Sequence, residues 1–405
     1  MTRRKEHAKI RKEVLQKVAL KVRRTGVKRG FVSQRAKNDS ELKETNLLRV
    51  FFCLKEASPL TKNDLCSRLN LSRPTVDRAI AQLTEHGLVK RDGRSPSGGG
   101  RRAVLYKLNE RARYAVGGDL ELPELNLTLC GLNGIPSASK GFTVPDNRVA
   151  DPGKALEYVS DSIRSFVNEE GVPFTRILGI GIGIPAFLKG DTITISGRNL
   201  PRWVRVPAKA ILEQQLNLPV FIDNDVKFMA LAENHTLGYR DKMTAYVALR
   251  KGLKGDIRMG GCLLLDGEVF PGGSGNAASL QHAYVEAEKL ERFLQPGSAP
   301  SVSREMAALV ADSLIQPIMH MVMLCDPNRL VINAAILEQA EEAFVEEIAT
   351  RLTDKLKSEF DWEIKVNMAQ DRRFGCAKGG ALFVLQKVFS RPAALFERLI
   401  PSPHS

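Results

Sequence analysis

Apolar and polar positions between residues 41 and 110 follow the pattern of short helices that precede two strands. Residues 41–56 carry Leu and Phe side chains at helical spacing, and Ser58-Pro59 ends that pattern. Thr61 opens the next helix, because its hydroxyl can accept a hydrogen bond from a free backbone amide. Asp64 stands where an acid stabilises a helix N-terminus. The pattern therefore predicts two helices separated by a short break.

A third helix is predicted after a turn at Asn70-Leu71. Ser72 is a good N-cap, and Pro74 fits the first helical turn, where a missing N–H group costs little. Apolar side chains at i, i+4 and i+7 predict its buried face: Val76, Ile80 and Leu83. The opposite face carries hydroxyl, guanidinium and amide groups, which contact phosphates and base edges in DNA. We expect DNA contacts from Ser72, Arg73, Thr75, Arg78 and Gln82.

The segment after this helix alternates in the manner of a β-hairpin. Strands are predicted over residues 88–91 and 103–108, with a loop rich in Gly, Ser and Pro between them. The loop tip has little bulk before Arg101 and Arg102, which suits insertion of an arginine into a narrow minor groove. A helix-turn-helix followed by a hairpin is the winged arrangement of an α+β DNA-binding domain. The alternative is a plain three-helix bundle with solvated arginines.

Strands alternate with helices through the remainder of the chain, which predicts an α/β body. Residues 177–185 are expected to form a buried strand that runs into a Gly-rich turn. The other predicted strands cover residues 114–119, 125–130 and 220–222, and a helix is predicted over residues 152–168.

The distribution of charge sets the first 110 residues apart. The 405-residue chain has a net charge of +14, and its length suggests two to three domains. Residues 1–40 carry 14 Lys or Arg and 3 Asp or Glu, and residues 41–110 carry 13 and 8. The remaining residues carry 33 and 35, so the body is nearly neutral. A basic head of this kind usually meets a polyanion, with nucleic acid the first candidate and an anionic membrane surface the second.

The first forty residues also show a helical pattern. Val and Ile side chains recur every four residues and predict an amphipathic basic helix from Glu6 to Arg24, followed by a basic linker from Gly26 to Ser40. A disordered tail, a phosphate-contacting arm and a membrane-surface helix all remain open for this extension.

Composition favours a cytoplasmic protein of globular type. Hydrophobic residues make up 43% of the chain and charged residues 26%, and no apolar run approaches the roughly 18 residues of a membrane helix. The N-terminus lacks the pattern of a signal peptide. The six cysteines are scattered without a C-x-x-C pair, which argues against a disulfide framework and a thiolate zinc site.

Several motifs resemble those of the ROK family (repressors, open reading frames and sugar kinases). In order along the chain they are Gly181-Ile182-Gly183-Ile184-Pro185, Asn199-Leu200-Pro201-Arg202-Trp203, Leu218-Pro219-Val220-Phe221-Ile222-Asp223-Asn224-Asp225 and Gly272-Gly273-Ser274-Gly275-Asn276-Ala277 followed by His282. The winged head is similar to that of ROK repressors. The resemblance implies an actin-like two-lobed sugar-kinase fold behind the DNA-binding head, commonly in a homodimer or a higher oligomer such as a homotetramer.

This resemblance suggests a division into three regions. Residues 1–40 form a basic extension, residues 41–110 the winged helix-turn-helix domain and residues 111–405 the ROK-type domain. Its two lobes are expected at about 111–230 together with the C-terminal helix, and at about 231–385.

The segments that match the nucleotide-binding loops of ROK kinases have drifted. The Asp-x-Gly-Gly-Thr loop is represented by residues 119–124, in which Asp119 remains while Glu121 and Glu124 bring negative charge and Pro123 removes an amide donor. The second glycine-rich loop corresponds to residues 250–261, which are basic and lack the Gly-Thr-Gly half. The adenosine-side glycines are replaced by Asn333 and Ala334. We therefore expect no kinase activity and no cofactor; the basic residues of 250–258 form either a solvated surface loop or an anion site.

The resemblance also marks a candidate sugar site. Asp225 matches the family's catalytic carboxylate, Asn224 and Asn199 match sugar-contacting amides, and His282 matches a histidine that contacts sugar and, in many members, zinc. Ser279 replaces a glutamate that the family carries three residues before this histidine. The alternative for residues 223–225 is a strand-end turn that caps the next helix. Because no cysteine cluster follows His282, no structural zinc is expected.

The sequence leaves three alternative functions. The first is a sugar-responsive DNA-binding regulator whose partners are double-stranded DNA and a sugar or sugar derivative. The second is a sugar kinase with a regulatory head, and the third is a ligand-independent DNA binder whose body only dimerises. The degenerate kinase loops and the basic winged head favour the first, as a repressor.

Overall fold

The chain divides into two compact units. The computed structural model describes residues 34–96, 102–196, 200, 202–252, 255–293 and 300–390, with side chains of the first helix described from Thr45 onward. One unit comprises Met1–Tyr114, Gly131–Ile135 and Leu385–Ser405; the other comprises Ala115–Cys130 and Pro136–Val384. The predicted basic helix from Glu6 to Arg24 lies outside the described residues.

The first unit has the element order of a winged helix-turn-helix. Its sheet has the order β1-β3-β2, with antiparallel pairing throughout. The elements are α1 (Gln34–Ala57), β1 (Leu60–Thr61), α2 (Lys62–Leu69), α3 (Arg73–Glu85), β2 (Val89–Arg94) and β3 (Val104–Leu108). The predicted helices and hairpin are confirmed.

Helix α1 begins earlier than the sequence pattern indicates. It starts at Gln34, so the predicted linker from Gly26 to Ser40 is wrong over residues 34–40. Gln, Arg, Ala and Lys at positions 34–37 are good helix formers, and no Gly or Pro interrupts the chain before Pro59. Asn38, Asp39 and Ser40 resemble a helix start, but the favourable residues before them carry the helix through.

Side-chain caps stabilise the N-termini of α2 and α3, the two helices of the helix-turn-helix. The Thr61 hydroxyl accepts a hydrogen bond from the Asp64 amide at 3.1 Å, and the Asp64 carboxylate accepts one from the Thr61 amide at 2.9 Å. This reciprocal capping box satisfies two backbone donors at once. Asn70 takes the left-handed conformation with φ 53°, which turns the chain toward the N-cap residue Ser72. The predicted caps at Thr61 and Ser72 are confirmed.

The second unit contains two larger sheets. The five-stranded sheet has the order β10-β7-β4-β5-β6, and the six-stranded sheet has the order β13-β12-β11-β15-β16, with β14 paired to β12. Their strands are β4 (Tyr114–Glu121), β5 (Glu124–Gly131), β6 (Pro136–Thr143), β7 (Ile177–Ile184), β10 (Val220–Asn224), β11 (Met243–Lys251), β12 (Ile257–Leu265), β13 (Glu268–Val269), β14 (Tyr284–Val285), β15 (Arg329–Asn333) and β16 (Lys365–Met368). A separate hairpin pairs β8 (Ala186–Lys189) with β9 (Thr192–Ser196).

Helices alternate with these strands, as the sequence pattern predicts. They are α4 (Asp146–Val149), α5 (Pro152–Glu169), α6 (Ala208–Leu216), α7 (Asp225–Leu237), α8 (Ala287–Leu290), α9 (Pro300–Cys325), α10 (Glu341–Phe360) and α11 (Gly375–Phe389). Strands β10 and β7 pair in parallel, as do β11 with β15 and β15 with β16. The hairpin strands β8 and β9 and strand β6 were not anticipated, although Thr and Ile alternate along β9.

The glycines of the Gly181-Ile182-Gly183 run serve close packing within β7. The prediction that a Gly-rich turn begins here is wrong, because β7 continues to Ile184 and all its residues are buried. A Cβ atom at Gly181 would collide with the carbonyl oxygen of Gly380, and one at Gly183 would collide with the Cys376 thiol. Helix α11 therefore lies directly against this strand, near the start of α7.

Helix α9 is long and apolar because it covers the six-stranded sheet. Residues Ser303–Cys325 have a mean hydropathy of 1.6, which is enough by length and composition for a membrane span. Val310, Leu314 and Ile318 are fully buried in the core cluster of this sheet. A core helix passes the same test, so this segment is weak evidence for a membrane protein.

Candidate functional site

Helix α3 separates a buried apolar face from an exposed polar one. Val76, Ile80 and Leu83 are buried, as predicted, and Ala79 is buried beside them. Ser72, Arg73, Arg78 and Gln82 are exposed, and Thr75 is half-buried. The polar groups therefore face solvent together on the element that a winged helix presents to DNA.

Two side chains of this face are also held by neighbours. The Arg73 guanidinium donates to Asn63 of α2 at 2.6 Å and to Asp77 at 3.1 Å. The Ser72 hydroxyl lies 2.8 Å from that of Thr75. Arg78 donates weakly to the Pro74 carbonyl oxygen at 3.4 Å and projects its guanidinium from the exposed face. Arg78 is thus more available than Arg73 for a partner.

The hairpin after α3 is longer than the sequence pattern predicts. Strand β2 continues to Arg94, three residues beyond the predicted end, and Arg102 is exposed before β3. Lys107 and Asp92 form an ion pair of 2.5 Å across the two strands, which supports the extension. Arg101 and the Gly-rich tip lie outside the described residues.

The second unit holds an ion-pair cluster at the position of the kinase-like loops. We call Asp119, Glu121, Asp225 and Arg250 the Arg250 cluster. The Arg250 Nη2 atom lies 2.6 Å from Glu121 Oε2, 3.2 Å from Asp225 Oδ2 and 3.9 Å from Asp119 Oδ1. Asp119 and Glu121 belong to β4, Arg250 to β11 and Asp225 to the first turn of α7. One guanidinium therefore joins the five-stranded sheet to the six-stranded sheet.

Burial and charge shift the pKa values of this cluster. The pKa of Asp225 is raised to about 7, mainly by burial and also by the repulsion of Asp119, against the attraction of Arg250, which lowers it. Burial likewise raises the pKa of Asp119. Burial alone would lower the pKa of Arg250, but its attraction to Asp225, Glu121 and Asp119 outweighs that effect and raises it. The guanidinium consequently stays charged at any physiological pH.

The buried atoms of the Arg250 cluster are not fully satisfied. Asp119 Oδ1, Asp225 Oδ2 and Arg250 Nε are buried without a hydrogen bond of good geometry among the described residues. Asp225 Oδ1 accepts from the Val226 amide at 2.9 Å, so its other oxygen faces Arg250. Asp119 Oδ1, Asp225 Oδ2 and the Arg250 Nε–H group can therefore each form a hydrogen bond with a bound ligand.

This geometry changes the interpretation of Arg250 and Arg258 within residues 250–258. Arg250 and Lys251 extend β11 and Arg258 lies in β12, so these three residues lie in strands rather than in a loop. Arg250 is not free for an anion, because protein carboxylates pair with it, whereas Lys251 is exposed. Arg258 pairs with Asp256 at 2.8 Å. Lys254 lies outside the described residues.

Side chains also occupy the end of β15, at Asn333 and Ala334. The Asn333 amide donates to the Tyr246 hydroxyl at 3.1 Å, and both residues are buried. The Ala334 amide donates to Glu341 Oε1 at 3.2 Å, and Arg372 donates to both oxygens of Glu341 at 2.6 Å. The Glu341 side chain therefore accepts a hydrogen bond from the Ala334 backbone amide, so that amide is not available to a ligand.

Asn224 and Asp223 hold the end of β10 in place. Asn224 Oδ1 accepts from the Val226 amide at 3.1 Å as the N-cap of α7, and its Nδ2 donates to the Ala186 carbonyl oxygen at 3.3 Å. The capping alternative for residues 223–225 is therefore seen in the structure. Lys227, which sequence reasoning missed, donates to Asp223 at 2.5 Å and to the Gly275 carbonyl oxygen at 2.6 Å. It ties the Gly272–Ala277 motif to this strand end.

The remaining candidate ligand residues are less tightly placed. Ser279 and His282 are exposed in the segment between β13 and β14. Asn199 lies outside the described residues. Within the described part of the chain, no group of three or more His, Cys, Asp and Glu side chains is arranged to hold a metal ion.

The fold and these sites define a winged-helix unit followed by a two-lobed α/β unit. Residues 138–300 match the model of the ROK family, and residues 48–103 match that of the MarR family. The chain thus carries a ROK family domain behind a MarR-type winged-helix domain.

Curated relatives share the larger part of this chain. The xylose repressor of Caldicellulosiruptor bescii is 27% identical over 248 residues, which are 61% of this chain and 60% of the relative. The DNA-binding transcriptional dual regulator NagC of Escherichia coli strain K12 is 23% identical over 249 residues, 60% of this chain and 58% of the relative. The matches therefore span about three fifths of these relatives.

Solved structures confirm the predicted fold class. A ROK family transcriptional regulator, a homologue of the E. coli MLC protein, matches with a TM-score of 0.65 at 17% identity, over 88% of this chain and 99% of that one. The ROK hexokinase of Thermus thermophilus matches with a TM-score of 0.54 at 19% identity, over 68% of this chain and 99% of the other. Repressors and kinases share this fold, so function must be argued from the sites.

Proposed function

We propose that this protein is a cytoplasmic, sugar-responsive DNA-binding transcription repressor. The exposed polar face of α3 carries the proposal, because Thr75, Arg78 and Gln82 stand together on the recognition helix of a winged-helix unit. The net charge of residues 41–110, with 13 basic and 8 acidic residues, favours a polyanionic partner. The repressors among the relatives support the same function.

DNA binding by this helix predicts two kinds of contact. Arg78 is the exposed guanidinium near the middle of α3, where bidentate contact with a guanine distinguishes one sequence from another. Ser72, Arg73 and Arg102 lie at the helix start and beside the wing, where contacts to phosphate set orientation. A homodimer or homotetramer would place two such helices on two half-sites.

The Arg250 cluster supports a regulator without kinase activity. Phosphoryl transfer requires donors around the phosphates, a metal ion and a carboxylate that is free to take the hydroxyl proton. Here Glu121 adds negative charge, Arg250 occupies Asp225, and Arg372 with Glu341 fills the adenosine side. The protein thus resembles a kinase in fold, while Arg250 pairs with the carboxylate that would have to accept the hydroxyl proton.

A sugar effector is proposed to bind near the start of α7. Asp225, Asn224 and the Gly272–Ala277 segment meet there through Lys227, and Asn199, Ser279 and His282 complete the candidate set. An effector changes DNA binding only if it binds two conformations of the body with different affinity. Stabilisation of the protein by a sugar, measured by thermal shift, would separate this function from ligand-independent DNA binding.

Fluorescence anisotropy with DNA from upstream of the protein's own gene tests the function. We expect tighter binding to that DNA than to a scrambled duplex at the same salt concentration. Arg78→Ala should lose about 1–3 kcal/mol at the specific site and little on scrambled DNA. Arg176→Ala, which removes an exposed arginine of the second unit, is the matched control. Equal affinity of the wild type for both duplexes would contradict the proposal, as would sugar-dependent ADP release.

A further inference from the structure

We propose that the Arg250 cluster selects a hydroxyl-rich ligand that carries a protonated amine, namely an amino sugar or an amino polyol. This inference rests on the proposed sugar-responsive function, and it names the chemical class of the effector. It also predicts that phosphorylated or carboxylated sugars bind more weakly than their neutral parents.

The first argument is the balance of charge. Three carboxyl groups of the cluster, Asp119, Glu121 and Asp225, face a single guanidinium. Two of the three are nearly fully buried, with Asp119 5% and Asp225 2% exposed. Burial disfavours the ionised forms of these two carboxyl groups, and a second positive group beside them would favour ionisation and bind to the resulting carboxylates.

Hydrogen-bonding capacity gives a second and independent argument. Asp119 Oδ1 and Asp225 Oδ2 are buried acceptors that lack good hydrogen bonds, and Arg250 Nε is a donor in the same position. An ammonium group donates three hydrogen bonds and suits the two oxygens. A hydroxyl on the adjacent carbon can accept from Arg250 Nε, and a vicinal amino alcohol combines both groups.

Nearby cations do not offset the negative charge for an anionic ligand. Lys227 is bound to Asp223 and to the Gly275 carbonyl oxygen, and Arg258 is paired with Asp256. A phosphate group placed beside Arg250 would meet Glu121, whose carboxylate already holds that guanidinium at 2.6 Å. Repulsion from the carboxylates therefore opposes sugar phosphates and uronates.

The members of the cluster differ in exposure. Arg250 and Glu121 keep 21% and 27% of their side-chain surface exposed, whereas Asp225 and Asp119 keep 3% and 7%. We therefore expect an amine to approach the cluster from the side chains of Arg250 and Glu121. Glu121 is consequently the residue whose charge can be removed with least disturbance of the buried pair.

Calorimetric titration with matched sugars tests the selection. The probes are glucosamine, galactosamine and mannosamine, each compared with its parent hexose and the hexose 6-phosphate at pH 7 and constant ionic strength. We expect at least one amino sugar to bind about tenfold more tightly than its parent, equivalent to about 1.4 kcal/mol. Its 6-phosphate counterpart should bind more weakly than the parent. Failure of all amino sugars to bind, or tighter binding of a parent or phosphate, overturns the inference.

Charge variants distinguish selection by the cluster from a general effect. Glu121→Gln should reduce the ratio of amino-sugar affinity to parent-hexose affinity several-fold. Asp312→Asn removes an exposed carboxylate on α9 and should preserve the preference. An undiminished preference in Glu121→Gln overturns the assignment to this cluster. DNA binding is measured on the same preparations of the wild-type protein. Absence of specific DNA binding would count against the proposed function. Specific DNA binding without a preference for amino sugars would count against this inference alone.

Discussion

The Nη2 atom of Arg250 lies 3.2 Å from Oδ2 of Asp225, and this pair joins β11 of the six-stranded sheet to the helix that follows β10 of the five-stranded sheet. The same nitrogen reaches Glu121 on β4 at 2.6 Å. A contact of this kind holds the two sheets together through protein groups alone.

Replacing Arg250 should therefore destabilise the second unit. Arg250→Gln leaves Asp225 and Asp119 buried without their cation, and loss of one partner from a buried pair costs about 3–5 kcal/mol. We expect a lower melting temperature and earlier denaturation in urea. Arg351→Gln is the control: its pairs with Asp312 and Glu347 are largely exposed, so its cost should stay within about 1 kcal/mol. Equal stability of the two variants would contradict the structural role of Arg250.

Asp225 should make folding stability depend on pH. Its pKa rises from the ordinary 3.8 to about 7 on folding, so between these values the folded state binds more protons than the unfolded state. Stability from this group is present at low pH and is lost as the pH rises from about 4 to 7, with a slope of up to about 1.4 kcal/mol per pH unit. Arg250, Asp119, Glu121 and Cys376 face it.

Comparison with Asp225→Asn isolates that dependence. The variant cannot titrate at this position, so its stability relative to the wild type should improve as the pH rises from 4 to 7 and then level off. Urea denaturation at each pH measures the difference. A constant difference across this range would show that Asp225 does not take up a proton within it.

The capping box of α2 offers a test confined to the winged-helix unit. Thr61→Ala removes the hydroxyl that accepts from the Asp64 amide, and loss of such a cap costs about 1 kcal/mol. Thr61→Ser keeps the oxygen and serves as the control. Hydrogen exchange of the α2 amides should accelerate in the alanine variant only. Unchanged exchange in Thr61→Ala would mean that the box adds nothing to the stability of α2.

Local signals made the winged-helix unit predictable from sequence. The caps at Thr61 and Ser72, the turn at Asn70 and the apolar spacing of α3 all depend on residues close together in the chain. Each such signal restricts the local backbone conformation without the help of residues distant in sequence. The start of α1 was harder, because helix-forming residues extend beyond a plausible cap at Ser40 without any local stop.

The Arg250 cluster was beyond prediction because its members lie far apart in sequence. The sequence showed acidic replacements at Glu121 and Glu124 and basic residues after position 249, but nothing in either segment indicated that Glu121 and Arg250 meet. An acidic residue in one segment and a basic residue in the other, both unlike the family motifs that the segments resemble, are the signal that was missed. The role of Gly181 and Gly183 was mispredicted for a similar reason, because only their contact with α11, which is distant in sequence, explains why these positions are glycine.

The basic N-terminal segment should control how steeply DNA binding falls with salt. Residues 1–33 carry 12 Lys or Arg and 2 Asp or Glu, and each basic group that contacts a phosphate adds about 0.9 to the slope of log affinity against log salt concentration. Deletion of residues 1–33 leaves α1 intact from Gln34 and preserves the exposed face of α3. We expect a shallower salt slope and weaker binding to all DNA, with the ratio of specific to scrambled affinity maintained. Arg176→Ala in the full chain, which alters a cation of the second unit, should leave the slope unchanged. If the deletion also leaves it unchanged, the segment does not contact DNA.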